Sequence, residues 1–263
     1  MKLFLIVLSL WITQTTYANV NPLARPNATQ AASLLTQTLA LANQNNAKAQ
    51  YHLGMLLNNG MGGANKDPVQ AFIWFQKAAS NGDLLAHYKV GCYYAGQFAG
   101  ETNIAVDPEL AMKFKLIAAN GGYALAQHDV ALMYMKQKDW KQSAYWSKQA
   151  ADQGELMAIL FYASFVSNPL FEQYDPSTAW VYGKIASNIR QLELQSGQSQ
   201  TASNLQADKN LQAFLDKLDA NFTPEQGEIA QAKVQEWKAQ PSAISLEAKR
   251  GIEALKVLLG DLH

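Results

Sequence analysis

A short phrase recurs along the middle of this chain, and its spacing restricts the fold to an array of helix pairs. It appears as Ala49, Tyr51 and Gly54, returns as Ala86, Tyr88 and Gly91, and again as Ala126, His128 and Ala131 and as Ala158, Leu160 and Ala163. The leading alanine therefore comes back at intervals of 32 to 40 residues, the period of a two-helix unit. A second phrase follows each copy of the first. It reads Asp67-Pro68, Ala71, Trp74, Ala78, Ala79 and Gly82; then Asp107-Pro108, Ala111, Phe114, Ala118, Ala119 and Gly122; then Asp139, Ser143, Trp146, Ala150, Ala151 and Gly154; and it begins a fourth time at Asp175-Pro176, Ala179, Tyr182 and Ala186.

Each phrase has a mechanical meaning. An aspartate followed by proline puts an oxygen acceptor at the N-cap and a residue with pre-set φ at the first helical position, where a missing N–H costs nothing. The second helix of each unit starts there. Alanines at helical spacing on either side of an aromatic make a flat stripe that lets a neighbouring helix come close. Asn81-Gly82, Gly121-Gly122 and Gln153-Gly154 supply residues that tolerate positive φ, so each second helix ends there. Gly54 and Gly91 fall inside the first helix of their units, where glycine costs roughly 1 kcal/mol against alanine unless close backbone packing compensates. Helix crossing is the expected reason.

The two phrases resemble the Sel-one-like repeat (SLR) family, relatives of tetratricopeptide repeats, through Ala49, Tyr51, Leu53, Gly54, Gly60, Asp67, Ala71, Trp74, Lys77, Ala78, Ala79 and Gly82. The second unit is a fair match. The third lacks the central glycine (Ala131), and the fourth lacks both that glycine (Ala163) and the closing one (Arg190). The resemblance implies an all-α, right-handed α-solenoid of antiparallel helix pairs closed by a C-terminal helical cap. The corresponding division is a signal peptide at 1–18, an N-terminal helical cap at 19–46, about four repeats at 47–190, and C-terminal helices at 191–263.

Met1 and Lys2 precede an apolar run from Leu3 to Ile12, and small or polar residues at Thr16 and Ala18 follow, the pattern of a secretory signal peptide cleaved after Ala18. The run is too short to span a bilayer, which takes about 20 residues. The expectation is an exported, periplasmic protein with no membrane span after cleavage. Cys92 is the sole cysteine, so no disulfide can form within the chain and helix packing must hold the fold. Twenty-one basic and 21 acidic residues balance, and no basic run is interleaved with aromatics, which argues against nucleic-acid binding.

After about Asn188 the repeat phrase stops. Ser196 to Ser203 reads as a turn, leucines from Leu205 to Leu218 recur at helical spacing, and Thr223-Pro224-Glu225-Gln226 is a strong helix start. Pro241 ends that helix. Leu246 to Leu262 reads as one last amphipathic helix, with Ile252, Leu255, Leu258 and Leu259 on an apolar stripe that packs back as a cap or, alternatively, binds a partner helix.

No constellation for catalysis emerges. His52, His87 and His128 lie in the first helices of successive units at different repeat positions, so they do not converge on a metal. Asp67, Asp107, Asp139 and Asp175 are read as N-caps. Gly60 to Gly63 lacks the strand and the Lys-Ser or Lys-Thr that a phosphate loop needs. No cofactor, metal or catalytic residue is assigned, and the chain is read as a non-enzyme, with a peptidoglycan or β-lactam hydrolase the least favoured alternative. The leading expectation is a periplasmic scaffold holding a protein or peptide partner, with exposed aromatics Tyr51, Tyr88, Tyr93, Tyr94, Phe98 and Tyr134 as anchors. The resemblance implies an accessory role to an envelope complex such as a type VI secretion system, or alternatively a periplasmic immunity protein that neutralises a toxin.

Overall fold

A computed structural model describes residues 28–195 and 202–260. The expected signal peptide and most of the expected turn at Ser196 to Ser203 lie outside the described residues. Thirteen α-helices and no strands occur among them: α1 (Ala28–Asn43), α2 (Ala47–Asn59), α3 (Pro68–Ser80), α4 (Leu84–Tyr94), α5 (Pro108–Asn120), α6 (Ala124–Lys136), α7 (Trp140–Asp152), α8 (Leu156–Val166), α9 (Pro176–Gln195), α10 (Ala202–Asp219), α11 (Pro224–Glu236), α12 (Ala243–Arg250) and α13 (Ile252–Leu259). None of these is long and apolar enough to cross a membrane. The described residues divide into two compact units, one built from 28–130 together with the segment from Ser242, the other from the described part of Ala131–Pro241.

In the first unit, α2 pairs with α3 and α4 with α5, while α1 packs on α2 and α3 on α4. The caps form where the sequence places them. Asp67 accepts from the Gln70 N–H at 2.9 Å, and Asp107 from Glu109 and Leu110 at 3.0 and 2.9 Å. Gly54 and Gly91 are close-approach residues: a Cβ at Gly54 would stand 2.6 Å from the Phe75 ring, and one at Gly91 only 2.7 Å from Lys115 Cγ and 3.2 Å from the Ala111 carbonyl oxygen. Phe75 is fully buried in a core with Ala71, Phe72, Ala78, Val90 and Tyr93.

Buried amides join consecutive pairs. Gln50 donates to the Ala42 carbonyl at 3.1 Å and accepts from Asn81, and Gln127, at the same repeat position, donates to the Ala119 carbonyl at 3.1 Å. Ala42 stands one residue before the end of α1 as Ala119 does in α5, so α1 takes the place of a second helix in front of the first pair.

In the second unit, α8 pairs with α9 and packs on α7, while α10 and α11 both lie against α9. Asp139 caps α7 and Asp175 caps α9 through N–H bonds from Gln142 and Thr178, each 3.0 Å. Loss of the central glycine from the last two units has a counterpart in the sequence. Phe75 and Lys115 stand eight residues after their Asp-Pro caps, and the aligned positions in the later units hold Ser147 and Gly183. Where the first helix of a pair gains a methyl group, the second gives up volume. The Thr223 capping box forms as expected, with Gln226 accepting from the Thr223 N–H at 2.9 Å and donating its own N–H to the hydroxyl at 3.3 Å.

One helix expected from sequence is two. The last amphipathic stretch breaks at Gly251, whose φ of 52° and ψ of −122° end α12 and start α13 with no side-chain cap. A glycine adopts that conformation without the Cβ clash other residues suffer, so the leucine periodicity that runs across it does not keep the helix continuous.

Candidate functional site

The six aromatics expected to be anchors do not form one exposed patch. Tyr93 is 1% exposed, and its hydroxyl lies 2.6 Å from Asn58 Oδ1 and 2.9 Å from the Pro68 carbonyl oxygen, where it locks the end of α2 to the start of α3. Tyr88 is buried too, edge-on to Tyr123 with 5.0 Å between ring centroids. Both correct the expectation of exposure: rings of this size at positions facing the neighbouring helix bury their apolar area, as much as 150–250 Å² in a large aromatic, with roughly 25 cal/mol gained per Å². Tyr51, Tyr94 and Phe98 are half-buried against the same core. Phe98 stacks on Tyr93 with centroids 4.3 Å apart, and Tyr94 on Phe114 at 5.8 Å. Tyr134 is half-buried in α6. Cys92 is buried, and burial pushes its thiol pKa up.

The better-formed site is a seat on the first unit, occupied by the chain's own segment from Ser242 onward. Its base is the row of turns where α2, α4 and α6 start. Asn46 caps α2 by accepting from Ala49 N–H at 2.9 Å, Asp83 caps α4 through Ala86 at 2.7 Å, and in the second unit Glu155 caps α8 through Ala158 at 2.7 Å. The aligned position before α6 is Tyr123, whose ring side chain carries no short acceptor that could fold back onto its own helix. There the acceptor comes from a distance: Ser245 Oγ accepts from the Ala124 N–H at 3.0 Å. Ser242 Oγ donates to the Gly122 carbonyl oxygen at 2.7 Å and accepts from the Ser245 N–H at 3.2 Å, so one hydroxyl both caps α12 and ties it to the turn. Gly122, at φ 90°, would put a Cβ only 3.2 Å from Ser242 Cβ.

Further along, Glu247 receives a hydrogen bond from Lys48 Nζ at 2.6 Å. At the far end Leu255, 1% exposed, packs with Leu34, Leu56 and Ala64, and Leu258 reaches the neighbouring cluster of Ala42, Ala49 and Leu53. Two titratable groups near Lys48 and Glu247 are shifted in opposite senses. Burial pulls the His52 pKa down to about 4, with Lys48 adding to the fall and Glu247 opposing it. Burial pushes Asp83 up to about 6, and Glu247 adds to the rise against the Ala86 N–H and Lys48. At neutral pH His52 is therefore a neutral imidazole and Asp83 mostly a carboxylate.

A second recess, lined by polar and apolar groups alike, lies beside Asn43, Gln50, Ile73 and Asn81, with Lys77 Nζ 4.0 Å above the Trp74 ring. Among the described residues no three His, Cys, Asp or Glu side chains gather as metal ligands.

The periodic caps match a known pattern: the Sel1 repeat family covers residues 47–83, 84–123 and 124–155. Residues 47–155 are three Sel1 repeats. Each matched repeat begins at the first residue of α2, α4 or α6. No curated protein matches this Sel1-repeat chain. Two solved structures share its fold. One is c5321, a protective antigen present in uropathogenic Escherichia coli strains and displaying an SLR fold, with 23% identity, a TM-score of 0.60, and coverage of 87% of this chain and 43% of that one. The other is a Sel1 repeat protein from Oxalobacter formigenes, with 24% identity, a TM-score of 0.54, and coverage of 73% of this chain and 80% of that one. The chain thus spans less than half the length of c5321.

The seat was not anticipated from sequence beyond the statement that the last helix packs back. A tyrosine at the one cap position where Asn46, Asp83 and Glu155 set the pattern, together with a Ser-x-x-Ser start at Ser242, was the available signal.

Proposed function

We propose that this Sel1-repeat chain is an exported, periplasmic protein-interaction module, accessory to an envelope complex such as a type VI secretion system, and that it works by holding partners rather than by catalysis. Sel1-repeat proteins mediate protein–protein interaction, and the observation that carries the reading here is the seat, a face of the array that holds a helical segment through helix-end hydrogen bonds, an ion pair and inserted leucines. The envelope setting is supported by the amino-terminal sequence pattern and by the SLR resemblance. Fractionation of cells carrying the tagged full chain tests location, and photo-crosslinking from exposed array positions, read by mass spectrometry, tests partnership. Recovery in the periplasmic fraction with envelope-complex subunits crosslinked is the expected result. A toxin as the dominant crosslink would favour the immunity alternative, and retention in the cytoplasm would overturn the reading.

A further inference from the structure

We infer that the segment Ser242–Leu259 is a resident ligand, and that its seat on the first unit is the docking face for a partner's amphipathic helix of the same chemistry. That helix would carry a serine-capped start, a carboxylate one turn in, and leucines or isoleucines about two turns further on. The inference rests on the protein-binding reading above and names the site and the kind of partner.

Two observations separate this segment from an ordinary terminal helix. It has few fully buried residues: Ser245 is the sole one of α12 and Leu255 the sole one of α13, with Ile252, Leu258 and Leu259 half-buried beside it, whereas α2 and α3 bury seven and five. Its two helices are eight residues each and broken at Gly251. Helices shorter than about 12 residues are marginal in water, so this one holds its shape because the seat does, as a helical peptide does when it docks in a groove.

The seat is also chemically matched to such an occupant. The start of α6 is the one first-helix start of the array whose cap position carries a tyrosine, and a serine hydroxyl from the segment accepts the Ala124 N–H there. Lys48 meets the carboxylate. Leu34, Leu56 and Ala64 receive the leucine. A hydroxyl at the helix end, a cation beyond it and an apolar recess at the far end form an ordered set, which reads direction as well as composition.

Trans exchange tests this. A specific protease site inserted between Pro241 and Ser242 of the full chain allows the segment to be cut and left in place. A fluorescent peptide of residues 242–263 is then added and followed by anisotropy. The intact chain is expected to take up none, and the cut chain to bind saturably. A peptide carrying Leu255→Ala should bind at least about tenfold more weakly, since the truncation leaves the recess of Leu34, Leu56 and Ala64 unfilled, and one carrying Ser245→Ala should bind about fivefold more weakly. Independently, the uncut double variant Ser245→Ala, Leu255→Ala should take up the wild-type peptide while its circular dichroism stays helical.

Three results would overturn the inference. These are no uptake by a cut chain that remains folded, collapse of helicity once the segment leaves, and a concentration-dependent dimer of the intact chain, which would make a second copy's segment the occupant. Uptake without any envelope crosslink would leave the seat standing and remove the cellular setting; envelope crosslinks without uptake would do the reverse.

Discussion

The first and second helix pairs solve one packing problem with opposite chemistry. In each, a glycine inside the first helix lets the second helix come close, and the residue eight positions after the Asp-Pro cap fills the contact. In the first pair that residue is Phe75, fully buried among apolar neighbours; in the second it is Lys115, almost as deeply buried, with its Nζ 2.5 Å from Asp129. Burial works to lower the Lys115 pKa, and the Asp129 carboxylate beside it overrides that and holds the ammonium above its usual range. The repeat geometry thus specifies a volume and leaves the polarity to be settled by what stands opposite.

Removing the filler of the first pair should have the largest effect. Phe75→Ala is expected to destabilise by about 3–5 kcal/mol, because the ring sits between two helices that Gly54 has brought too close to collapse further. Urea unfolding measures it, and a loss under 1 kcal/mol would mean that the glycine contact is not filled by the ring.

In the second pair the cost should depend on which partner goes. Asp129→Ala strands a buried ammonium and should cost roughly 3 kcal/mol. Replacing both partners, as Lys115→Met with Asp129→Asn, should stay within about 1 kcal/mol of the parent, since a well-packed apolar chain replaces an ion pair whose attraction mostly offsets desolvation. A double variant as unstable as Asp129→Ala would show the ion pair to be a net source of stability.

The junction of the two pairs yields the smallest and most diagnostic effect. His52 is held neutral in the folded chain, so its contribution is present above pH 6.5 and lost as pH falls toward 4. Asp83 is held protonated more readily than in the unfolded chain, so its contribution is full below pH 3.8 and lost as pH rises through about 6. Between pH 4 and 6 the two slopes oppose each other. Relative to the parent, His52→Gln should gain stability on acidification through that window and Asp83→Asn should lose it, each on the order of 1–3 kcal/mol. Thermal melts at half-unit pH steps decide it, and parallel curves for all three chains would refute the opposition.

These contrasts also mark what the sequence made legible. The caps at Asp67, Asp107, Asp139 and Asp175, the close-approach glycines and the Thr223 capping box are local, each a matter of a few residues and their hydrogen bonds, and they stand where their spacing places them. Tyr93 was misjudged because period alone says which residues share a helix face and not how deep that face lies. Lys115 carries no local sign of its burial, since its partner Asp129 comes from the next helix. The seat depends on contacts between residues some 120 to 200 apart, such as Ser245 with Ala124 and Glu247 with Lys48, and nothing local in the chain announces them.

That sequence separation has a consequence in time. Helix pairs close over short loops and form fast, whereas contacts between distant residues wait for a large loop to close. A chain emerging from the ribosome completes its N-terminal elements first, at roughly 5–20 residues per second. Every residue of the seat up to Ala124 therefore precedes Ser242 by more than a hundred positions, so the whole face is synthesised before the segment that covers it exists.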